Sequence, residues 1–214
     1  MVQLQPKCLT DTWVKAAWED FLRLVEDPAY VKAKGYYFDG QMRVETVGTG
    51  PDHAADNGII HVGITLFCAL KGIPIKGLIN CSYRKTGVRE AQPDISYYVG
   101  DRTPLAPQGS SIVNLDQVPP PDLAIEIADS SINDDLGKKR LLYEEMRVAE
   151  YWVVDVENTQ ILAFQIVENG SVRIARSQVL AGLEISLLCE VLQMGQQMDD
   201  SQVVSWLMTH FQKV

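Results

Sequence analysis

The run Leu123-Ala124-Ile125-Glu126-Ile127-Ala128 constrains this chain more than any other segment. It lies between Pro121-Asp122 and Asp129-Ser130-Ser131 and has the length and composition of a strand covered on both faces. Such a strand requires a layer above the sheet and another below it. The one carboxylate inside it is costly. An ionised group taken out of water without a partner loses several kcal/mol or becomes neutral, so Glu126 is expected to meet a cation, hydrogen-bond donors or a metal ion. Strand alternation puts Ala124 and Ala128 on the same face as Glu126, and two such small neighbours leave room for an ion or a substrate phosphate.

A chain of 214 residues that is 46% hydrophobic can cover both faces of such a sheet, and one domain over residues 1–214 is the expected organisation. A first helix is expected over about residues 11–27, with Trp13, Ala17, Phe21, Leu24 and Val25 as its apolar stripe and Pro28 as its end. Tyr36 to Phe38 and Met42 to Val47 read as a hairpin turned at Asp39-Gly40. Apolar residues from Ile59 to Leu70 mark a long buried helix that begins near Asp52 and stops near Gly72. Strands are expected at Ile75 to Tyr83 and Ile95 to Val99, with a proline-rich surface excursion from Gly100 to Pro121. A helix from about Asp134 to Arg147 follows the central strand, then strands at Tyr151 to Val154, Ile161 to Val167 and Val172 to Ala175. C-terminal helical segments close the chain over about residues 186–213. This order gives an α/β (α+β) fold, a mixed β-sheet flanked by helices.

A net charge of −9 argues against coating nucleic acid through bulk electrostatics, although local basic groups such as Lys76, Arg84, Lys85 and Arg89 remain. No stretch approaches the ~20 apolar residues that span a bilayer. The segment from Met1 to Lys7 lacks the basic and apolar regions of a secretory leader, so the expected location is the cytoplasm, with no membrane partner. Cys8, Cys68, Cys81 and Cys189 are widely spaced and suggest free thiols rather than a disulfide framework or a zinc knuckle.

Two further features bear on chemistry. Asp94 follows Pro93 and opens the strand Ile95 to Val99, which puts a carboxylate at a strand end, while Pro121-Asp122 reads as a strand-entry turn. Leu136, Lys139, Tyr143 and Met146 share one helical face, so Lys139 points inward and either snorkels to water or pairs with a buried carboxylate; Lys138 and Arg140 diverge from that stripe.

Together, Pro93-Asp94-Ile95-Ser96, Pro121-Asp122-Leu123-Ala124-Ile125-Glu126-Ile127, Asp135-Leu136-Gly137-Lys138-Lys139 and Glu150-Tyr151-Trp152-Val153-Val154-Asp155 resemble the Uma-type restriction endonucleases of the PD-(D/E)XK nuclease superfamily. The resemblance runs from about residue 20 to 195. It implies a restriction-endonuclease-like fold and an Mg²⁺- (or Mn²⁺-) dependent endodeoxyribonuclease. In that reading Asp94, Glu126 and the Ile127 backbone carbonyl bind the ion, and Asp94, Glu126 and Lys139 are catalytic. Alanine stands at position 128, where the superfamily pattern has lysine, and Lys139 is the expected replacement. Glu45 is a possible additional ligand, and His53 matches a recurring family position outside the catalytic set. The expected partner is nucleic acid, DNA first, bound by a homodimer because a double-strand cut needs two sites. A non-catalytic nucleic-acid-binding or interaction module that kept the nuclease fold is the alternative. A glycosidase carboxylate pair and a Ser-His hydrolase are weaker readings.

Overall fold

The computed structural model describes residues 11–30, 32–46 and 50–212. Its first elements are β1 (Val14–Lys15), α1 (Trp18–Val25), β2 (Lys34–Phe38), β3 (Gln41–Glu45) and α2 (Pro51–Lys71). β4 (Ile75–Ile79), β5 (Tyr83–Lys85), β6 (Arg89–Ala91), β7 (Ile95–Val99), β8 (Val113–Asn114) and β9 (Leu123–Ala128) follow. After β9 come α3 (Ile132–Asp134), a kinked segment over Asp135–Lys139 with non-helical backbone at Gly137, α4 (Arg140–Met146), β10 (Glu150–Asp155), β11 (Gln160–Val167), β12 (Gly170–Ile174), α5 (Ile185–Gly195) and α6 (Asp200–Phe211).

The strands form two six-stranded mixed sheets in place of the one expected. The main sheet has the order β12-β11-β10-β9-β7-β4, parallel only between β9 and β10. The second, β1-β3-β2-β6-β5-β8, is built around the early hairpin. β9 is central, and all six of its residues are buried, as its apolar run requires. One of its faces, Leu123, Ile125 and Ile127, packs with Trp152 and Val154 against apolar residues of α2, α5 and α6. The opposite face carries Ala124 and Ala128 beside Tyr36, Tyr143 and Tyr151, and the second sheet and α4 cover it. Glu126 faces this smaller, tyrosine-rich layer.

Several expected elements stand where the sequence places them. Asp39-Gly40 turns the β2–β3 hairpin with φ of +51° and +64°, the left-handed pair a two-residue type I′ turn demands. The long helix ends at Gly72 in the left-handed conformation. In the C-terminal helical segments, Val203, Leu207 and Phe211 of α6 are buried in the chain's own core. Cys68 is buried and Cys81 and Cys189 are half-buried, all as free thiols, while Cys8 and Val47 lie outside the described residues.

Other boundaries are corrected. The first helix begins at Trp18 rather than near Asp11, because Val14 and Lys15 pair with Met42 and Gln41 on the open edge of β3 and leave Ala17 extended. Its buried residues are Trp18 and Phe21, with Trp18 outside the expected stripe. The long helix is capped by Gly50 with Pro51 in its first turn, so Asp52 is not the cap. The strand expected over Ile75 to Tyr83 breaks at Asn80, whose φ is +52°, into β4 and β5 on different sheets. The helix expected over Asp134 to Arg147 is interrupted by a kink at Gly137, whose φ of −97° and ψ of −106° are not helical.

Candidate active site

Sheet register brings the two carboxylates together. β7 runs antiparallel to β9 with Ile95 opposite Ile125, so Asp94, one residue before β7, stands level with Glu126. The Ile127 N–H donates to Asp94 Oδ2 at 2.8 Å and ties the two strands at that level. Asp94 is buried, its Oδ1 is paired with the Lys34 ammonium, and His53 Nε2 lies 3.5 Å from Oδ2. Burial alone pushes this carboxyl up, but His53 and Lys34 outweigh it and hold Asp94 well below the usual carboxylate range.

Glu126 has the opposite balance. It accepts from Tyr143 Oη at 2.7 Å and Tyr36 Oη at 3.3 Å, while its nearest paired cation, Lys139 Nζ, is 3.9 Å away. Burial pushes its pKa to about 8; Lys139 opposes the rise, and the charges of Asp94 and Asp135 add to it. Burial also raises the hydroxyl pKa of Tyr36 and Tyr143 well above normal, so both stay protonated and donate.

Lys139 is turned inward, as its helical face requires, and is 2% exposed. Its Nζ lies 2.8 Å from Glu45 Oε1, 2.9 Å from Asp135 Oδ1 and 4.3 Å over the Tyr36 ring. Desolvation would lower its pKa, but the charges of Glu126, Asp135 and Glu45 prevail and raise it, so the ammonium is permanent. Glu45 is held below its normal range because Lys139 and Arg43 overcome the effect of burial. Arg43 in turn bonds Glu45 Oε1 at 2.9 Å and the Asp11 carbonyl at 2.7 Å. Lys138 sits instead over the Trp13 ring, and Arg140 over that of Phe164.

Asp94, Glu126, Ile127, Glu45, Lys139 and His53 line one cleft of about 180 Å³. The residues that the family resemblance named, Asp94, Glu126, Ile127, Lys139, Glu45 and His53, therefore lie at one place, while Asp122, Lys138 and Arg140 do not. Sequence reasoning missed Lys34, Tyr36, Arg43 and Asp135. Two signals were available for them. Register puts Lys34 opposite Glu45 and Tyr36 opposite Arg43, so period-two alternation from Glu45 gives the hairpin's site-facing wall. Asp135 stands four residues before Lys139, the spacing of a helical ion pair. Asp122 is structural: its carboxylate accepts from the Val99 N–H at 2.8 Å and pairs with Arg102 at 3.0 Å.

The cleft thus sets two carboxylates level on neighbouring strands of a mixed sheet, faced by Lys139 from the segment that follows β9. Residues 18–201 match the family described as "Uma2: Putative restriction endonuclease", and the chain belongs to that family. Among solved structures it resembles "a putative nuclease belonging to DUF820" from Anabaena variabilis ATCC 29413. The TM-score is 0.56 at 15% identity, over 89% of this chain and 98% of that one, a likeness of fold. No curated protein matches the sequence.

Proposed function

We propose that this protein is a divalent-metal-dependent endonuclease that hydrolyses phosphodiester bonds in DNA. The observation that carries the reading is the convergence of Asp94, Glu126 and Lys139 on one cleft from three separate elements. Among the described residues no three His, Cys, Asp or Glu side chains stand in ready ligating geometry. The donor chemistry nevertheless suits Mg²⁺ or Mn²⁺, which take hard oxygens. Glu126 is a buried carboxylate short of positive charge, and Asp94 and the Ile127 peptide adjoin it. Asp94, Glu126 and the Ile127 carbonyl would hold the ion in competition with Lys34 for Asp94, and Glu45 is a further oxygen donor at the rim. When bound, the ion would supply a water acidified toward hydroxide and a charge against the phosphate oxygens.

The chain's own groups do the rest. Lys139, held by Glu45 and Asp135, keeps a fixed positive charge beside Glu126, where it orients the attacking water or offsets charge that develops on the phosphate. Tyr36 and Tyr143 fix the Glu126 carboxylate in place. Lys34 and Lys32, also in the cleft, neutralise approaching phosphates. A homodimer presenting two such clefts is part of the proposal, since each strand of a duplex needs its own. Asp94→Ala and Glu126→Ala are each expected to abolish Mn²⁺-dependent nicking of plasmid DNA while the protein stays folded in thermal melts. Cleavage retained by both purified variants would overturn the assignment.

A further inference from the structure

The catalytic cleft opens into a larger recess of about 800 Å³, with Lys32, Lys34, His53 and Asp94 in the walls of both. Its other walls come from the end of α1, the first turns of α2 and the segments around β4, β5 and β6, and its two further carboxylates, Glu26 and Glu90, are both paired with Arg84. Its chemistry is mixed in a particular way. Ile79 and Ile112 stand at its wall 52% and 43% exposed, apolar surface that a soluble domain would otherwise cover. The side-chain amides of Asn57 and Asn80 face the same recess and make no hydrogen bond to any described residue. Arg84 is fixed at the wall by a salt bridge from Nε to Glu90 and by the Trp18 ring 5.7 Å from its guanidinium carbon. Its Nη2 is buried with no partner among the described residues, and so is His53 Nδ1.

Apolar surface, uncommitted amides and a fixed guanidinium beside a lysine-flanked catalytic cleft match the parts of a nucleotide: base faces, base edge, and sugar-phosphate. The volume falls in the range of pockets that enclose one small ligand, whereas a paired duplex presents a broad surface that cannot enter a recess. We infer that this recess is a nucleotide subsite that takes one unpaired or extruded nucleotide next to the scissile phosphate. Asn57 and Asn80 read the base edge, Ile79 and Ile112 cover its faces, and the part of Arg84 still exposed at the wall meets the backbone. This deepens the nuclease reading and rests on it for the identity of the strand.

Binding is measured by fluorescence anisotropy in EDTA with a labelled single strand, a fully paired duplex, and the same duplex carrying one mismatch. Extruding a base costs a few kcal/mol from a paired site and least from a mismatched one, so the mismatched duplex and the single strand should bind about tenfold or more tighter than the paired duplex. Gly58→Leu is the blocking variant. A Cβ built at Gly58 meets no atom within 4 Å, and leucine is the better helix former within α2, so melts should match or exceed the parent. It should erase the preference, and Asn57→Ala should reduce it. Equal binding of paired and mismatched duplexes, or a full preference retained in Gly58→Leu, overturns the subsite. The same oligonucleotides with Mn²⁺ separate the two readings. Cleavage indifferent to mismatch and to Gly58→Leu sinks the subsite and leaves the nuclease. A mismatch preference lost in Gly58→Leu, with no cleavage, leaves the subsite and sinks the nuclease.

Discussion

Three carboxylates, Glu45, Asp135 and Glu126, share the ammonium of Lys139, and the first two sit about an ångström closer to it than the third. Glu126 is left as the group that binds a proton when no other cation arrives. Its folded pKa of about 8 lies above the ordinary 4.5, so the folded state holds more protons than the unfolded one between those values. Stability of the metal-free protein therefore falls as pH rises from about 4.5 through about 8. Glu126→Gln removes that loss, and its melting temperature in EDTA should exceed the parent's by more at pH 8 than at pH 5; no pH dependence in the difference would refute the raised pKa. Lys139→Ala should leave calorimetric Mn²⁺ binding nearly intact while lowering cleavage on the order of 10²-fold, the size of one lost electrostatic stabiliser. Lys138→Ala should do much less, and equal effects would contradict the division of labour between the two lysines. At this scale Glu126 and Lys139 were legible because each breaks a pattern: a charge in an apolar strand, a lysine in an apolar stripe. Lys34 breaks none. Its role follows from cross-strand register, which no local window contains.

The elements that carry the site were readable in type and less so in their ends. Alternation and turn chemistry are local, so the Asp39-Gly40 hairpin and β9 follow from a few residues each. The β1 strand depends on the open edge of β3, and the break at Asn80 on two sheets competing for one segment; both are tertiary effects that override local preference. The kink at Gly137 belongs to the same class, since it breaks the helix between Asp135 and Lys139, two buried residues that pair with each other. Glu150 tests how far one residue can hold an element in place. Fully buried at the start of β10, it accepts from Trp152 Nε1 at 3.0 Å, Ser177 Oγ at 2.9 Å, Val179 N at 3.1 Å and also Gln178 N. It thereby ties the loop before α5 to the sheet. Glu150→Ala strands four donors and should cost about 3 kcal/mol or more, which lowers the melting temperature by roughly 6–12 °C. Glu150→Gln keeps an acceptor oxygen and should lose less. A Glu150→Ala melt within a degree of the parent would show that the loop is held by its apolar contacts alone.

Across the whole molecule, the layered architecture was implied by one strand buried on both faces, yet the second sheet was not, because the contacts that join its two local hairpins, β1–β3, β2–β6 and β5–β8, are short and cross long stretches of chain. The same scale decides how the protein meets its partners. Each chain carries nine net negative charges, so two copies repel one another and both repel a polyanion except at the Lys32, Lys34 and Arg84 side of the cleft. Salt acts on these two encounters in opposite directions. Screening weakens the repulsion between like-charged protomers, so added salt should favour the proposed homodimer. Counterion release makes nucleic-acid binding fall as salt rises, with a log-log slope near −0.9 per phosphate contacted on duplex DNA. Three cations at the cleft give an expected slope of roughly −2 to −3. Light scattering coupled to size exclusion should report twice the chain mass at micromolar concentration, with the dimer fraction growing between low and moderate salt, while anisotropy titrations over the same range show weakening affinity. A monomer at every salt concentration would remove the dimer and confine the enzyme to single-strand nicks, and an affinity insensitive to salt would remove the lysines and Arg84 from the contact with phosphate.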